Sequence, residues 1–141
     1  MKVKEIMTDH ITCCTPETPL SDVARKMVTH DCGAIPVVDD QDHHRVLGIV
    51  TDRDIVCRSI AGENNPLEMT AGECMTSPVL TVHPEDSVED CCEILEEHQL
   101  RRAVVVDERG GCCGMVSQAD VARHLAPRQV AELVEEVSQP A

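Results

Sequence analysis

The sequence predicts an α+β fold built from two consecutive copies of one β-α-β-β-α unit, and three observations carry that prediction. Met7-Thr8 superposes on Met75-Thr76, an offset of 68, and the order of features after each is the same. In each copy a helical pattern of apolar residues is followed by two β-branched runs around a polar turn. The chain of 141 residues holds two such units of about 60 residues within the size of one ordinary domain.

The repeat is detailed. Pro16-Glu17 falls on Pro84-Glu85, Asp22 on Asp90, His30 on His98, and Val37-Val38-Asp39 on Val105-Val106-Asp107. Beyond the second polar turn the offset drops to 66, so Gly48 falls on Gly114, Thr51 on Ser117 and Asp54 on Asp120. The loss of two residues sits where a hairpin turn is expected, the place where length changes disturb a sheet least.

The elements follow in order. Residues 11–14 and 79–82 are short apolar stretches ahead of Pro16 and Pro84 and read as brief strands. A helix follows each. In the first copy Thr18 is the expected N-cap with Pro19 at the first helical position, and Leu20, Val23 and Met27 form an apolar stripe. In the second copy Asp86 with Glu89 gives a capping-box pattern, and Val88, Cys92 and Leu95 continue the stripe. Residues 34–38 and 46–50 then read as a hairpin across the polar turn 39–45, and residues 103–106 and 112–116 repeat it. A last helix begins at Thr51 or Ser117. Residues 61–69 are a polar linker rich in turn residues. After Pro127, the residues Val130, Leu133, Val134 and Val137 stand at i, i+3, i+4 and i+7, an amphipathic helix expected to pack on its own domain. The resulting division is 1–62 for the first repeat, 63–70 for the linker, 71–126 for the second repeat and 127–141 for a C-terminal helix and tail.

Composition narrows the function. The chain has no Trp, Tyr or Phe, so Val, Ile, Leu, Met, Ala and Cys must fill its core, and proteins that stack bases on aromatic platforms are excluded. A net charge of −14 repels a phosphate backbone, so nucleic acid is not an expected partner. No apolar run reaches signal-peptide or membrane-spanning length, which predicts a cytoplasmic protein without a membrane partner. Nine cysteines, an odd number without an export signal, favour reduced thiols. The adjacent pairs Cys13-Cys14, Cys91-Cys92 and Cys112-Cys113 lack the two-residue spacing of zinc clusters, and small buried hydrophobes are the expected role. His43-His44 is expected to be solvated in the first hairpin turn, and no metal site is expected. Neither a Ser/His/Asp order, an HExxH helix, a P-loop nor a dinucleotide fingerprint occurs, so no catalytic residue is assigned and the chain does not read as an enzyme.

Two segments carry chemistry, Gly48-Ile49-Val50-Thr51-Asp52-Arg53-Asp54 and Gly114-Met115-Val116-Ser117-Gln118-Ala119-Asp120. A hydroxyl residue followed three positions later by an acid is a helix-capping signal, which explains the spacing without any ligand. The same geometry serves a ligand: the helix start and the hydroxyl of Thr51 or Ser117 suit a phosphate, and Asp54 or Asp120 can accept from two vicinal ribose hydroxyls.

With these segments, the Ala34-Ile35-Pro36-Val37-Val38-Asp39 strand and Arg101-Arg102-Ala103-Val104-Val105-Val106-Asp107, the chain resembles the CBS-domain family over about residues 3–125, and in particular its small stand-alone pairs. The resemblance implies two repeats packed with pseudo-two-fold symmetry, two clefts for an adenosine derivative, and assembly as a homodimer through the helices after Pro19 and Asp86. It implies ribose-binding roles for Asp54 and Asp120 and phosphate-side roles for Thr51 and Ser117. It places Thr8, Thr12, Gly33, Ala34 and Ile35 in the cleft completed by Asp120. It places Thr76, Val79, Leu80, Arg102 and Ala103 in the cleft completed by Asp54, with Arg101-Arg102 as a basic pair beside the phosphates. Val104 departs from the pattern where the first copy has Pro36. The implied function is a regulatory module that binds AMP, ADP, ATP, NAD or S-adenosylmethionine, needs no further cofactor, and signals to an unidentified protein partner in trans. The alternatives are a ligand-free structural or interaction module and a thiol-based redox or metal responder.

Overall fold

In the computed structural model, described for residues 1–40, 42, 44–124 and 127–139, the chain forms two compact units. One comprises Met1–His10, Leu80–Glu108 and the chain from Cys113 onward; the other comprises Ile11–Val79 and Arg109–Cys112. We call them the C-terminal and N-terminal units. The opening segment of the first copy thus packs with the bulk of the second, and the corresponding segment of the second packs with the bulk of the first.

In the N-terminal unit, helix α1 (Leu20–His30) precedes the antiparallel hairpin of β1 (Ala34–Val38) and β2 (Val46–Thr51). Helix α2 (Asp52–Ile55) continues as a π-helical turn over Val56–Ile60, where the Ser59 hydroxyl donates back to Ile55 O. A 3-10 turn at Pro66–Glu68 and helix α3 (Ala71–Cys74) complete it. The core gathers Cys14, Leu20, Val23, Ile35, Val37, Val50, Ala71 and Cys74.

The C-terminal unit repeats the plan with β3 (Thr81–Val82), α4 (Val88–Glu97), β4 (Arg102–Val106), β5 (Cys112–Ser117), α5 (Gln118–Ala122) and α6 (Pro127–Val137). Its sheet runs β3-β4-β5, with β3 parallel to β4. Val3, Val82, Val88, Cys91, Cys92, Leu95, Val105, Val116, Val121, Leu133 and Val137 form its core, so α6 docks on its own unit through Leu133 and Val137, whereas Val134 of the expected stripe stays exposed.

The hairpins fall where the sequence places them; several ends do not. The 11–14 strand reduces to one bridge, Cys14 paired with Val37, and the 79–82 strand to two residues. The α1 cap is Pro19, because the Thr18 hydroxyl is taken by Thr15 N at 3.0 Å. The α4 cap is Ser87, which accepts from Asp90 N at 3.0 Å, because Asp86 instead accepts from His83 N at 2.8 Å in the preceding turn. The expected linker contains the 3-10 turn Pro66–Glu68, and the sequence reading assigned no element to the start of the second repeat, where α3 lies, although Thr70 and Glu73 form a capping box legible in the sequence. The apolar stripes of α1 and α4, the helices through which the family resemblance implies a dimer, are largely spent inside the units: Leu20, Val23, Val88, Cys92 and Leu95 are all buried. Of the turn histidines, His43 lies outside the described residues, and His44 is half-buried rather than solvated.

Candidate functional site

Each hydroxyl–aspartate segment is a capping box. Thr51 Oγ1 accepts from Asp54 N at 3.1 Å, and Asp54 Oδ2 accepts from Thr51 N at 3.0 Å. In the other copy Ser117 Oγ accepts from Asp120 N at 3.2 Å, and Asp120 Oδ2 accepts from Ser117 N at 2.9 Å and from the Ser117 hydroxyl at 3.0 Å. The capping explanation of the spacing is therefore correct in both places. It uses only one carboxylate oxygen of each pair.

The other oxygen faces a cation. Asp54 Oδ1 lies 3.9 Å from Arg58 Nε and accepts from the Thr76 hydroxyl at 3.4 Å; Asp120 Oδ1 lies 3.6 Å from Arg123 Nη1. Both aspartate side chains keep 18% of their surface exposed. Arg58 also donates to Met75 O at 3.1 Å and to Thr76 Oγ1 at 3.3 Å, tying Thr76 to Asp54. Sequence reasoning passed over Arg58 and Arg123. Their i, i+4 and i, i+3 spacing from the aspartates is the signal that could have found them.

Close backbone approach sets this geometry. Thr76 N donates to Ile49 O at 2.8 Å and Ile49 N to Thr76 O at 3.1 Å. Thr8 N donates to Met115 O at 2.9 Å and Met115 N to Thr8 O at 3.0 Å. A Cβ on Gly48 would stand 2.9 Å from Thr76 O, and one on Gly114 would stand 2.9 Å from Thr8 O. The glycines that open the two segments are thus what admits Met75-Thr76 and Met7-Thr8 to the strands.

The structure brings Thr51, Asp54 and Thr76 together in the N-terminal unit, with Val79 in the same unit, and puts Ser117, Asp120 and Thr8 in the C-terminal unit. Thr12, Gly33, Ala34 and Ile35 belong to the N-terminal unit, where Ile35 is fully buried in the core. Leu80, Arg101, Arg102 and Ala103 belong to the C-terminal unit, where Ala103 is buried and Leu80 and Arg101 are exposed. Gln118 N donates to Arg101 O at 2.8 Å, while Gln118 Oε1 is enclosed without a hydrogen-bond donor among the described residues. A buried carbonyl oxygen of that kind has unmet demand for a donor.

No group of three or more His, Cys, Asp or Glu residues that could hold a metal ion occurs among the described residues. Cys14, Cys74, Cys91 and Cys92 are buried in the two cores, the role expected of small hydrophobes. Burial is the first cause that pushes the thiols of Cys14 and Cys91 up to about 11 and that of Cys92 to about 12. No helix among the described residues is long and apolar enough to cross a membrane.

A duplicated α+β unit ending in a hydroxyl–aspartate cap defines a pair of regulatory domains of the CBS type. The CBS domain profile matches residues 3–59 and 71–127, and the chain belongs to that family. It is 35% identical over 137 residues to hypoxic response protein 1 of Mycobacterium tuberculosis, covering 97% of this chain and 94% of that protein. The crystal structure of Hypoxic Response Protein I with two coordinated zinc ions superposes with a TM-score of 0.78 at 36% identity, covering 89% of this chain and all of that one. The crystal structure of CBSX2 in complex with AMP superposes with a TM-score of 0.75 at 25% identity, covering 87% of this chain and 94% of that one. The expected resemblance to small stand-alone CBS pairs holds.

Proposed function

We propose that this CBS-pair module binds an adenosine nucleotide through Asp54 and Asp120 and reports occupancy to a protein partner in trans. One observation carries the reading: in both copies the capping box leaves one aspartate oxygen, Oδ1, free of the cap and beside a cation, on a side chain that keeps 18% of its surface exposed. A carboxylate oxygen so placed accepts from ribose hydroxyls, and the neighbouring guanidinium balances a phosphate. The AMP complex of CBSX2 supports the nucleotide class. AMP, ADP, ATP and NAD all present the required diol. Thr8, Thr12, Gly33, Ala34, Ile35, Thr76, Val79, Leu80, Arg101, Arg102 and Ala103 belong to the proposal through the family resemblance, as do cytoplasmic action and a homodimer.

Calorimetric titration with AMP, ADP, ATP and NAD tests the reading. The parent should bind at least one, Asp54→Ala and Asp120→Ala should each lose one binding event, and the double variant should bind none. Losing a cap costs about 0.5–2 kcal/mol, so the variants remain folded, and Asp→Asn at either position retains a capping oxygen while removing the charge. Because the chain lacks aromatic residues, co-purified adenine also dominates its near-ultraviolet spectrum once nucleic acid is removed. Absence of binding at millimolar concentration, about −4 kcal/mol, overturns the reading in favour of a ligand-free interaction module.

A further inference from the structure

The Arg58 guanidinium joins three groups of the N-terminal unit that are separate in the chain. Its Nη1 donates to Met75 O at 3.1 Å, its Nη2 donates to Thr76 Oγ1 at 3.3 Å, and its Nε lies 3.9 Å from Asp54 Oδ1. The direction of the remaining bond follows from donor counting. A guanidinium can only donate, so the Thr76 oxygen accepts from it, and the single hydrogen of the Thr76 hydroxyl is left for Asp54 Oδ1 at 3.4 Å. Asp54 Oδ2 accepts from Thr51 N at 3.0 Å in the cap. Both oxygens of the carboxylate are therefore held, each from a different segment, and Oδ1 retains room for one further donor.

Arg58 is itself fixed by its own backbone. It lies in the π-helical turn Val56–Ile60, where the fully buried Ser59 donates its hydroxyl to Ile55 O, and such turns frequently mark functional sites. Arg58 O accepts from Asn64 Nδ2 at 3.4 Å and Ser59 O from Asn64 N at 2.8 Å. The second copy is built differently. At the repeat offset of 66, Arg58 falls on His124 and Cys57 on Arg123. There α5 ends at Ala122, and the exposed Arg123 stands 3.6 Å from Asp120 Oδ1. Among the described residues the Asp120 carboxylate accepts hydrogen bonds from Ser117 alone, and both of these go to Oδ2.

We propose, resting on the nucleotide reading above, that Arg58 is a positioning residue for ribose recognition at Asp54, with no counterpart at Asp120. Arg58 holds Thr76 and Thr76 holds Asp54 Oδ1, so the carboxylate meets a ribose hydroxyl already oriented and little side-chain freedom is lost on binding. The backbone of Thr76 is anchored to β2 by its paired bonds with Ile49, so the hydroxyl cannot drift with the ligand. At Asp120 the outer oxygen has no such hydroxyl on it among the described residues, and the ligand must do the ordering. The role needs the fork of the guanidinium. A lysine keeps the charge, but its one nitrogen cannot serve Met75 O, Thr76 Oγ1 and Asp54 Oδ1 from three separate atoms.

The test titrates AMP, ADP and ATP, each against its 2′,3′-dideoxy analogue, into the full chain carrying Asp120→Ala, so that the Asp54 event is read alone. Ribose should be preferred over dideoxyribose by about tenfold or more, the usual worth of a hydrogen bond to a charged group. Arg58→Lys should bring the two members of each pair to about equal affinity. A purely structural role for Arg58 would weaken both members alike and leave their ratio unchanged. Thr76→Val, at an exposed position, removes the hydroxyl and should abolish the preference in the same way, and adding Arg58→Lys to it should change the ratio no further. Far-ultraviolet circular dichroism checks folding, and Thr76→Val decides the matter if Arg58→Lys does not fold. An unchanged ratio in either folded variant overturns the proposal and leaves nucleotide binding standing, whereas a parent that binds none of the three overturns it together with that binding.

Discussion

Gly48→Ala tests the packing that positions Thr76 beside Asp54. A Cβ there would stand 2.7 Å from Met75 Sδ and 2.9 Å from Thr76 O. The sulfur ends a flexible side chain and can swing away. The carbonyl is backbone, and its residue pairs with Ile49 through bonds of 2.8 and 3.1 Å. Relief by moving Thr76 works against both bonds, each worth about 0.5–1.5 kcal/mol net. The expected loss is about 1–3 kcal/mol, the range found on overpacking a filled site. The same movement draws the Thr76 hydroxyl from Asp54 Oδ1, now 3.4 Å away. Urea unfolding followed by far-ultraviolet circular dichroism measures the loss, since no aromatic residue reports by fluorescence. Thermal midpoints should fall by roughly 3–5 °C per kcal/mol for a chain of this size. Gly114→Ala, whose Cβ would meet Met7 Sδ at 2.8 Å and Thr8 O at 2.9 Å, should behave alike. A Gly48→Ala protein within about 0.5 kcal/mol of the parent refutes the reasoning.

Two further outcomes follow from the C-terminal unit. Leu133→Ala removes a fully buried side chain of α6 and should cost about 2–5 kcal/mol, while Val134→Ala, 46% exposed, should stay within about 0.5 kcal/mol; equal effects in urea unfolding would show that α6 does not dock as described. Hydrogen bonds from Lys2 at 2.5 Å and Lys4 at 2.8 Å hold the Glu85 carboxyl down to about 2, below its ordinary value of 4.5. Its stabilising contribution is therefore complete above the ordinary value and is lost as pH falls from there towards 2, and Glu85→Gln should remove that part of the acid limb. A Glu85 carboxyl that titrates at its ordinary value by NMR counts against the pairing.

The duplication, the two hairpins, the docking face of α6 and the hydroxyl–aspartate segments were all legible in the sequence, because each rests on a local pattern. Apolar, largely β-branched runs on either side of a polar turn mark β1, β2, β4 and β5, and the i, i+3, i+4, i+7 spacing marks α6. Thr51 to Asp54 and Ser117 to Asp120 are capping boxes wherever such a spacing starts a helix. Local signals failed where a neighbour competes for the same group. Thr18 lost its expected cap because Thr15 claims its hydroxyl, and Asp86 lost its own because His83 N does. The short strands shrank because only Cys14 and Thr81–Val82 find partners in register.

The sequence by itself determined that this chain is a duplicated α+β module with a hydroxyl–aspartate cap at the start of the last helix of each repeat. Only the tertiary structure decided that residues 1–10 pack with the second copy, and that Arg58 and Thr76 converge on Asp54. The physical reason is range. Caps, turns and amphipathic faces depend on residues within a few positions of one another, whereas these meetings join residues far apart in the chain, and which surfaces pair is chosen by the shape and burial of whole elements rather than by any spacing along the sequence.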